Sequence, residues 1–89
     1  MKKHLNDKNL SRPEMIAAEA LIKEGIAAEN WRFEIEYKER GFEFVTMEIT
    51  VYQPRCQNPT TVWEAPYSMC RNRLYWCDAK LMYNQSCDR

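Results

Sequence analysis

This sequence has little glycine and little histidine. Its only glycines are Gly25 and Gly41, and its only histidine is His4. Two isolated glycines exclude the glycine-rich loop that wraps a phosphate. A single histidine in a polar N-terminal stretch leaves no imidazole to activate a serine or cysteine nucleophile. We therefore expect a protein that is not an enzyme and that uses no cofactor.

Long apolar segments are also lacking. The N-terminal lysines are not followed by the roughly 7–15 apolar residues of a secretory signal. No stretch approaches the roughly 20 apolar residues that cross a membrane. We expect no membrane association and a cytoplasmic location, where cysteine thiols stay reduced.

There is no excess of charge of either sign, because 13 basic residues balance 13 acidic ones. Proteins that bind nucleic acid in bulk depend on clustered positive charge. Direct binding to nucleic acid is therefore the less favoured interpretation, and a protein partner is the favoured one.

The cysteines lack the spacing of a metal site. Cys56, Cys70, Cys77 and Cys87 contain no C-x-x-C pair of the kind that places two thiolates on one zinc ion. We expect no metal site, with a zinc-stabilised domain as a minor alternative, and we expect free thiols that pack as small apolar groups. A disulfide from Cys56 or Cys87 stays open for the case of an exported protein.

The N-terminal half predicts a helix followed by a hairpin. Residues 1–10 read as a polar leader, and residues 11–89 as a single domain. Ser11 and Glu14 have the spacing of a capping box at the start of a helix over about 12–29. This helix ends either at Gly25, a residue suited to a left-handed cap, or near Asn30.

The middle of the chain predicts an antiparallel sheet. Alternating apolar residues indicate a hairpin of strands 31–37 and 42–52, and a short third strand lies near 60–64. Gly41 suits the positive-φ position of a bulged turn. The apolar phase changes after Phe44, so we expect a β-bulge near Phe44–Thr46. Pro66 is expected to end the third strand.

Residues 68–84 fit two patterns. Apolar residues follow helical spacing and also alternate as in a strand. The absence of glycine and proline from so long a stretch favours the helix, with a further strand as the alternative. The expected fold class is α+β, in the order α-β-β-β-α.

That order, over residues 11–85, is similar to the double-stranded-RNA-binding domain. In that family the last helix begins with a lysine cluster that grips phosphates. Here the corresponding stretch reads "APYSMCRN", and Arg71 and Arg73 are the nearest substitutes. The resemblance implies a nucleic-acid-binding or regulatory alternative, for which we take Arg55, Arg71, Arg73 and Lys80 as the basic contacts.

A helix over 68–84 would have two apolar sides, of which only one is needed to cover the sheet. Exposed aromatics, methionines and arginines are typical of protein interfaces, and acidic side chains on the hairpin add complementarity to a basic partner. The candidate partner-binding residues are Tyr75, Trp76, Met82, Tyr83, Arg71, Arg73, Glu34, Glu36 and Glu43.

These features predict a small interaction protein that either dimerises or docks on a partner. The chain's small size and its lack of a catalytic set are typical of phage and mobile-element inhibitors of the anti-CRISPR, anti-restriction or nuclease-inhibitor class. Such a viral protein would evade an antiviral defence by covering the surface of a partner, such as a nucleic-acid-processing complex.

Overall fold

The computed structural model describes residues 2–85 and has an α+β fold. Within these residues one α-helix accompanies six strands, and no helix is long and apolar enough to cross a lipid bilayer. The elements in chain order are β1 (Lys3–His4), α1 (Arg12–Lys23), β2 (Arg32–Arg40), β3 (Phe44–Tyr52), β4 (Thr61–Ser68), β5 (Arg73–Leu74), a 3₁₀ helix (Trp76–Asp78) and β6 (Lys80–Asn84).

The strands form one antiparallel sheet in the order β1-β2-β3-β4. The far edge of β4 is shared by two short strands: β5 pairs with residues 67–68, and β6 pairs with residues 61–64. The hairpin of β2 and β3 therefore forms as the sequence predicts, while the sheet continues further along the chain than expected.

The start of α1 is the predicted capping box. The Ser11 backbone N–H donates to Glu14 Oε1 at 2.8 Å, and the Glu14 backbone N–H donates to Ser11 Oγ at 3.4 Å. The helix ends at Lys23, and Gly25 follows with φ +75°, a conformation that glycine adopts without strain. Of the two predicted ends, the one at Gly25 is correct, and a helix reaching residue 29 is wrong.

The N-terminal residues take part in the sheet and the core. Lys3 and His4 pair with Phe33 and Arg32 of β2, and the side chain of Leu5 is buried. Part of the stretch that reads as a polar leader thus extends the sheet by one strand.

The core lies between α1 and one face of the sheet, which we call the inner face. Alternate residues of β3 point to it and are fully or almost fully buried, as period-2 patterning requires. The buried side chains of this core are Leu5, Ala17, Ala18, Leu21, Ala27, Phe33, Val45, Met47, Ile49, Val51, Ala65 and Tyr67.

The predicted bulge lies in the opposite strand. Tyr37 pairs with Met47 and Arg40 pairs with Val45, so the extra residue is in β2 and not in β3. Because β3 keeps its regular phase, Val45 points to the core while Phe44 points to the outer face and is exposed. The change of apolar phase in the sequence therefore arises because the Phe44 side chain lies outside the core.

The predicted C-terminal helix is wrong for the described residues. The segment forms the end of β4, then β5, the 3₁₀ helix and β6, so the α-β-β-β-α order does not hold. Pro66 does not end β4, because its carbonyl points outward and accepts from the Tyr75 N–H at 2.9 Å. The missing N–H of a strand proline points to the same side as its carbonyl, so no hydrogen bond to β3 is lost.

Alkaline pH should destabilise the protein through Tyr52. Burial, the hydrogen bond to Glu34 Oε2 at 2.8 Å and the Glu34 charge together raise the pKa of Tyr52 from 10.0 to about 12. An unfolded tyrosine ionises earlier, so Tyr52 stabilises the fold below pH 10, and this contribution disappears as the pH rises towards 12. Urea unfolding at several alkaline pH values should therefore show a steeper loss of stability for the wild type than for Tyr52→Phe. Equal slopes for the two proteins would contradict this assignment.

Candidate functional site

Two turns lie side by side at one end of the sheet. Phe44, the first residue of β3, pairs with Ser68, the last residue of β4, so the β2–β3 turn and the β4–β5 turn are neighbours. Together they form a surface that we call the tip. It consists of the apolar residues Phe42, Phe44, Met69 and Tyr75 and the arginines Arg40, Arg71 and Arg73.

Phe42 is the most exposed apolar residue described. It lies in the turn between β2 and β3 with its side chain fully in solvent. The Gly41 N–H donates to the Phe44 carbonyl at 2.6 Å and closes this turn, in which Gly41 does not adopt the predicted positive φ. Such turns favour Gly, Asn, Asp, Ser and Pro, so neither the turn nor the core requires an aromatic ring here.

The rest of the tip is held in place by ring contacts. Phe44 packs edge-on against Tyr75 with the ring centroids 5.3 Å apart, and the Arg73 guanidinium carbon lies 5.5 Å from the Tyr75 ring centroid. Edge-to-face rings and a guanidinium over a ring are favourable arrangements. The three side chains therefore present a preformed surface.

The β4–β5 turn is fixed by hydrogen bonds from its own side chains. The buried Tyr67 hydroxyl donates to Asn72 Oδ1 at 2.8 Å, and the Arg71 N–H donates to Ser68 Oγ at 3.2 Å. Asn72 has φ +51°, a left-handed conformation that asparagine tolerates better than most residues. Met69, Cys70 and Arg71 are thus carried on a turn of defined shape.

Four of the predicted site residues belong to this end of the molecule. Arg71, Arg73 and Tyr75 are part of the tip, and Glu43 lines a groove there with Met69 and Cys70. The predicted set was assembled on a helix that does not form, but the turn after β4 still brings these residues to one surface.

The other aromatic candidates do not lie together. Trp76 packs against Trp63 with ring centroids 5.2 Å apart and lies against the core. Tyr83, in β6, pairs with Val62 of β4. Met82 is the extra residue of a register shift in β6. The predicted single face of Tyr75, Trp76, Met82 and Tyr83 is therefore wrong, because it required helical spacing.

One lysine balances part of the acidic charge on the outer face. Glu36, Glu48 and Glu64 lie directly opposite one another on the outer face. Like charges in such positions destabilise a sheet, and Lys38 relieves two of them, with its Nζ 3.3 Å from Glu48 and 3.1 Å from Glu64. Hydrogen bonds from Lys38 to Glu64 and Glu48 raise the lysine pKa.

Glu34 and Glu36, the two predicted glutamates in β2, lie on the outer face and not at the tip. Glu34 accepts the Tyr52 hydroxyl, and Glu36 lies next to it in alternation. Glu43 lies in the β2–β3 turn at the far end of the strand. The three carboxylates proposed from the sequence thus do not form one patch.

Sequence reasoning missed Phe42, Phe44, Met69 and Arg40. The available signal was the change of apolar phase at Phe44, which places Phe42 and Phe44 out of step with the buried residues of β3. Attributing this change to a bulge in β3 assigned both rings to the core. An apolar residue next to a turn glycine can equally be an exposed one.

The cysteines differ from the expected buried thiols. Cys70 and Cys77 are free and exposed, whereas Cys56 is disulfide-bonded. Cys87 lies outside the described residues. Within residues 2–85 no group of three His, Cys, Asp or Glu side chains is arranged to hold a metal ion, and a cysteine in a disulfide offers no thiolate ligand.

Comparison of the chain with protein-family models, with curated proteins and with solved structures gives no match. Arguments about function therefore rest on the geometry of the tip.

Removing the Tyr67 hydroxyl should loosen the β4–β5 turn. Tyr67→Phe leaves Asn72 without its side-chain partner and should lower the free energy of unfolding by about 1 kcal/mol, measured by urea denaturation. Tyr37→Phe is the matched control, because the Tyr37 ring lies beside Tyr67 with centroids 6.4 Å apart and its hydroxyl has no hydrogen-bond partner among the described residues. A similar loss in both variants would contradict the role of the hydroxyl.

Thiol labelling should distinguish the cysteines. In native, unreduced protein, Cys70 and Cys77 should be alkylated quickly, and Cys56 should be modified only after reduction and unfolding, as read by mass spectrometry of the peptides. Disulfides persist in oxidising compartments, so protein isolated from its native source with Cys56 already reactive would favour the cytoplasmic location predicted from the sequence. Labelling of Cys56 in folded, unreduced protein would contradict the disulfide.

Proposed function

We propose that this protein is a non-enzymatic interaction module that binds a partner protein through the tip. The observation that carries the proposal is the fully exposed Phe42, surrounded by the partly exposed side chains of Phe44, Met69 and Tyr75. A fully buried aromatic or aliphatic side chain contributes about 1.5–3 kcal/mol relative to an exposed one. The tip leaves that free energy unused in folding and available for binding.

The composition of the tip supports a protein partner. Phenylalanine, tyrosine, methionine and arginine are enriched in the cores of protein interfaces, and a few such residues carry most of the binding free energy. The ring contacts and the hydrogen-bonded turn also fix the surface before binding. A preformed surface loses less conformational entropy when it docks.

The mode of action that we propose is occlusion. The tip offers apolar and cationic contacts at one end of the sheet, so its direct effect would be to cover the partner's surface. The narrower assignment to phage or mobile-element inhibitors rests on chain size and on the lack of a catalytic set, and it stays a prediction.

The nucleic-acid alternative receives less support from the geometry. Its predicted basic contacts are spread over the molecule: Arg71 and Arg73 lie at the tip, Arg55 lies in the β3–β4 loop at the opposite end, and Lys80 begins β6. A backbone-binding surface needs its cations along one path. The family resemblance that suggested this alternative also required a C-terminal helix, which the described residues lack.

Affinity capture with three baits tests the proposal. The baits are the wild type, Phe42→Ala and the matched control Ile22→Ala, since Ile22 is an exposed apolar residue on α1, in a groove with Leu5, Leu10 and Met15. We expect a specific partner that the wild type and Ile22→Ala recover and that Phe42→Ala loses. The affinity of Phe42→Ala for that partner should fall by about 2 kcal/mol, or about 30-fold in Kd.

Two results would argue against the tip as the binding surface. One is recovery of the same partner by Phe42→Ala with unchanged affinity. The other is loss of the partner with Ile22→Ala alone, which would assign binding to the groove on α1. Recovery of no specific partner by any bait would count against the interaction module as a whole.

A further inference from the structure

The arginines at the tip have no carboxylate partner among the described residues: Arg40, Arg71 and Arg73 form no ion pair within residues 2–85. Two cations of the sheet do have structural partners: Lys38 bridges two glutamates, and Arg32 donates to the Cys56 carbonyl at 2.7 Å. The tip thus combines exposed rings with guanidinium groups whose donors are available.

The position of Arg73 prepares it to bind an anion. Its guanidinium lies over the Tyr75 ring, which in turn is braced by Phe44. A guanidinium held over a ring by cation–π attraction keeps its N–H donors, which can meet a carboxylate with two parallel hydrogen bonds. Arg71 is on the hydrogen-bonded turn two residues away.

An apolar groove lies at the same end of the sheet as these arginines. It is lined by Phe42, Phe44, Val45 and Met69 together with Arg40, and Glu43 is the single carboxylate among its lining residues. The tip therefore offers apolar contact at the turn of β2 and β3 and positive charge at the turn of β4 and β5.

We infer that the tip recognises an acidic segment of a partner protein, one in which an aromatic or aliphatic side chain lies next to aspartate or glutamate residues. The inference rests on the proposed function and specifies its partner. The apolar side chain packs against Phe42 and Met69, and the carboxylates bind Arg71 and Arg73. Charge complementarity of this kind raises the association rate and selects among partners.

A protein segment fits the tip better than a nucleic acid does. Single-stranded nucleic acid binds to aromatic rings on which successive bases stack, along a continuous positive groove. Here one face of Tyr75 is already covered by Arg73, and Glu43 lines the groove and would repel phosphate. The chain as a whole carries no net positive charge to attract a polyanion.

A display library of random dodecapeptides provides a probe that does not depend on knowing the partner. The wild-type protein is used for selection, and affinities of enriched peptides are measured by fluorescence polarisation. We expect enriched peptides to combine aspartate or glutamate with an aromatic or aliphatic residue. The double charge reversal Arg71→Glu/Arg73→Glu should weaken their binding by about tenfold or more, and high salt should weaken it as well.

The matched control reverses two charges away from the tip. Arg55→Glu/Lys8→Glu changes the net charge by the same amount at exposed positions in the β3–β4 loop and before α1. The affinity of this control variant for the enriched peptides should stay within about twofold of that of the wild type, because charges beyond a Debye length of about 10 Å are largely screened. Circular dichroism of each variant verifies that it is folded.

The outcomes separate the inference from the function on which it rests. Peptides that need Phe42 but show no acidic enrichment and no sensitivity to Arg71→Glu/Arg73→Glu would overturn the acidic partner alone. Peptides that bind Phe42→Ala as tightly as the wild type would overturn the tip as a binding surface. A library that yields no binding peptide would overturn the acidic-segment inference. Binding of short single-stranded RNA or DNA that Arg71→Glu/Arg73→Glu abolishes would assign the arginines to phosphate and overturn it too.

Discussion

The structure depends on how one short helix covers a wide sheet. α1 has 12 residues and is about 18 Å long, whereas the nine-residue strands β2 and β3 each extend about 30 Å. The helix contacts β2 and β5 on the inner face. Among the described residues nothing equivalent lies on the outer face or beyond the turns. The apolar core therefore has to be concentrated under α1, and the remaining surfaces are left to solvent or to partners.

The outer face meets this constraint with polar side chains. In β3, buried residues alternate with Thr46, Glu48 and Thr50, and Lys38 joins the glutamates of β3 and β4. Lys38 thus pairs with Glu48 and Glu64, and Glu34 accepts a hydrogen bond from the Tyr52 hydroxyl. A surface whose charges are paired internally gives up those pairs when it binds something else. The outer face is for this reason a poorer binding surface than its glutamates suggest.

Local patterns predicted the elements whose partners are close in sequence. The Ser11–Glu14 capping box and the alternation of residues 31–37 each act within a few residues, so α1 and β2 were predictable. The segment 68–84 was not, because β5 and β6 both pair with β4, and strand preference there depends on that partner. Pro66 shows the same limit: whether a proline ends a strand depends on which side its missing N–H would face, and that side is set by the neighbouring strands.

The tip was the least predictable part because patterning assumes that apolar residues are buried. Phe42 and Phe44 are out of phase with the buried residues of β3, and a bulge in β3 would bring them into phase. The bulge lies in β2 instead, and both rings stay outside the core. A polar residue at position 42 would cost the fold little, since that side chain is fully exposed and the core lies on the other side of the sheet. Arg71 and Arg73 likewise form no ion pair within residues 2–85. Folding accounts for the strands that carry the tip, but not for the apolar and cationic side chains displayed there, and the binding role that we propose would give a physical reason for them.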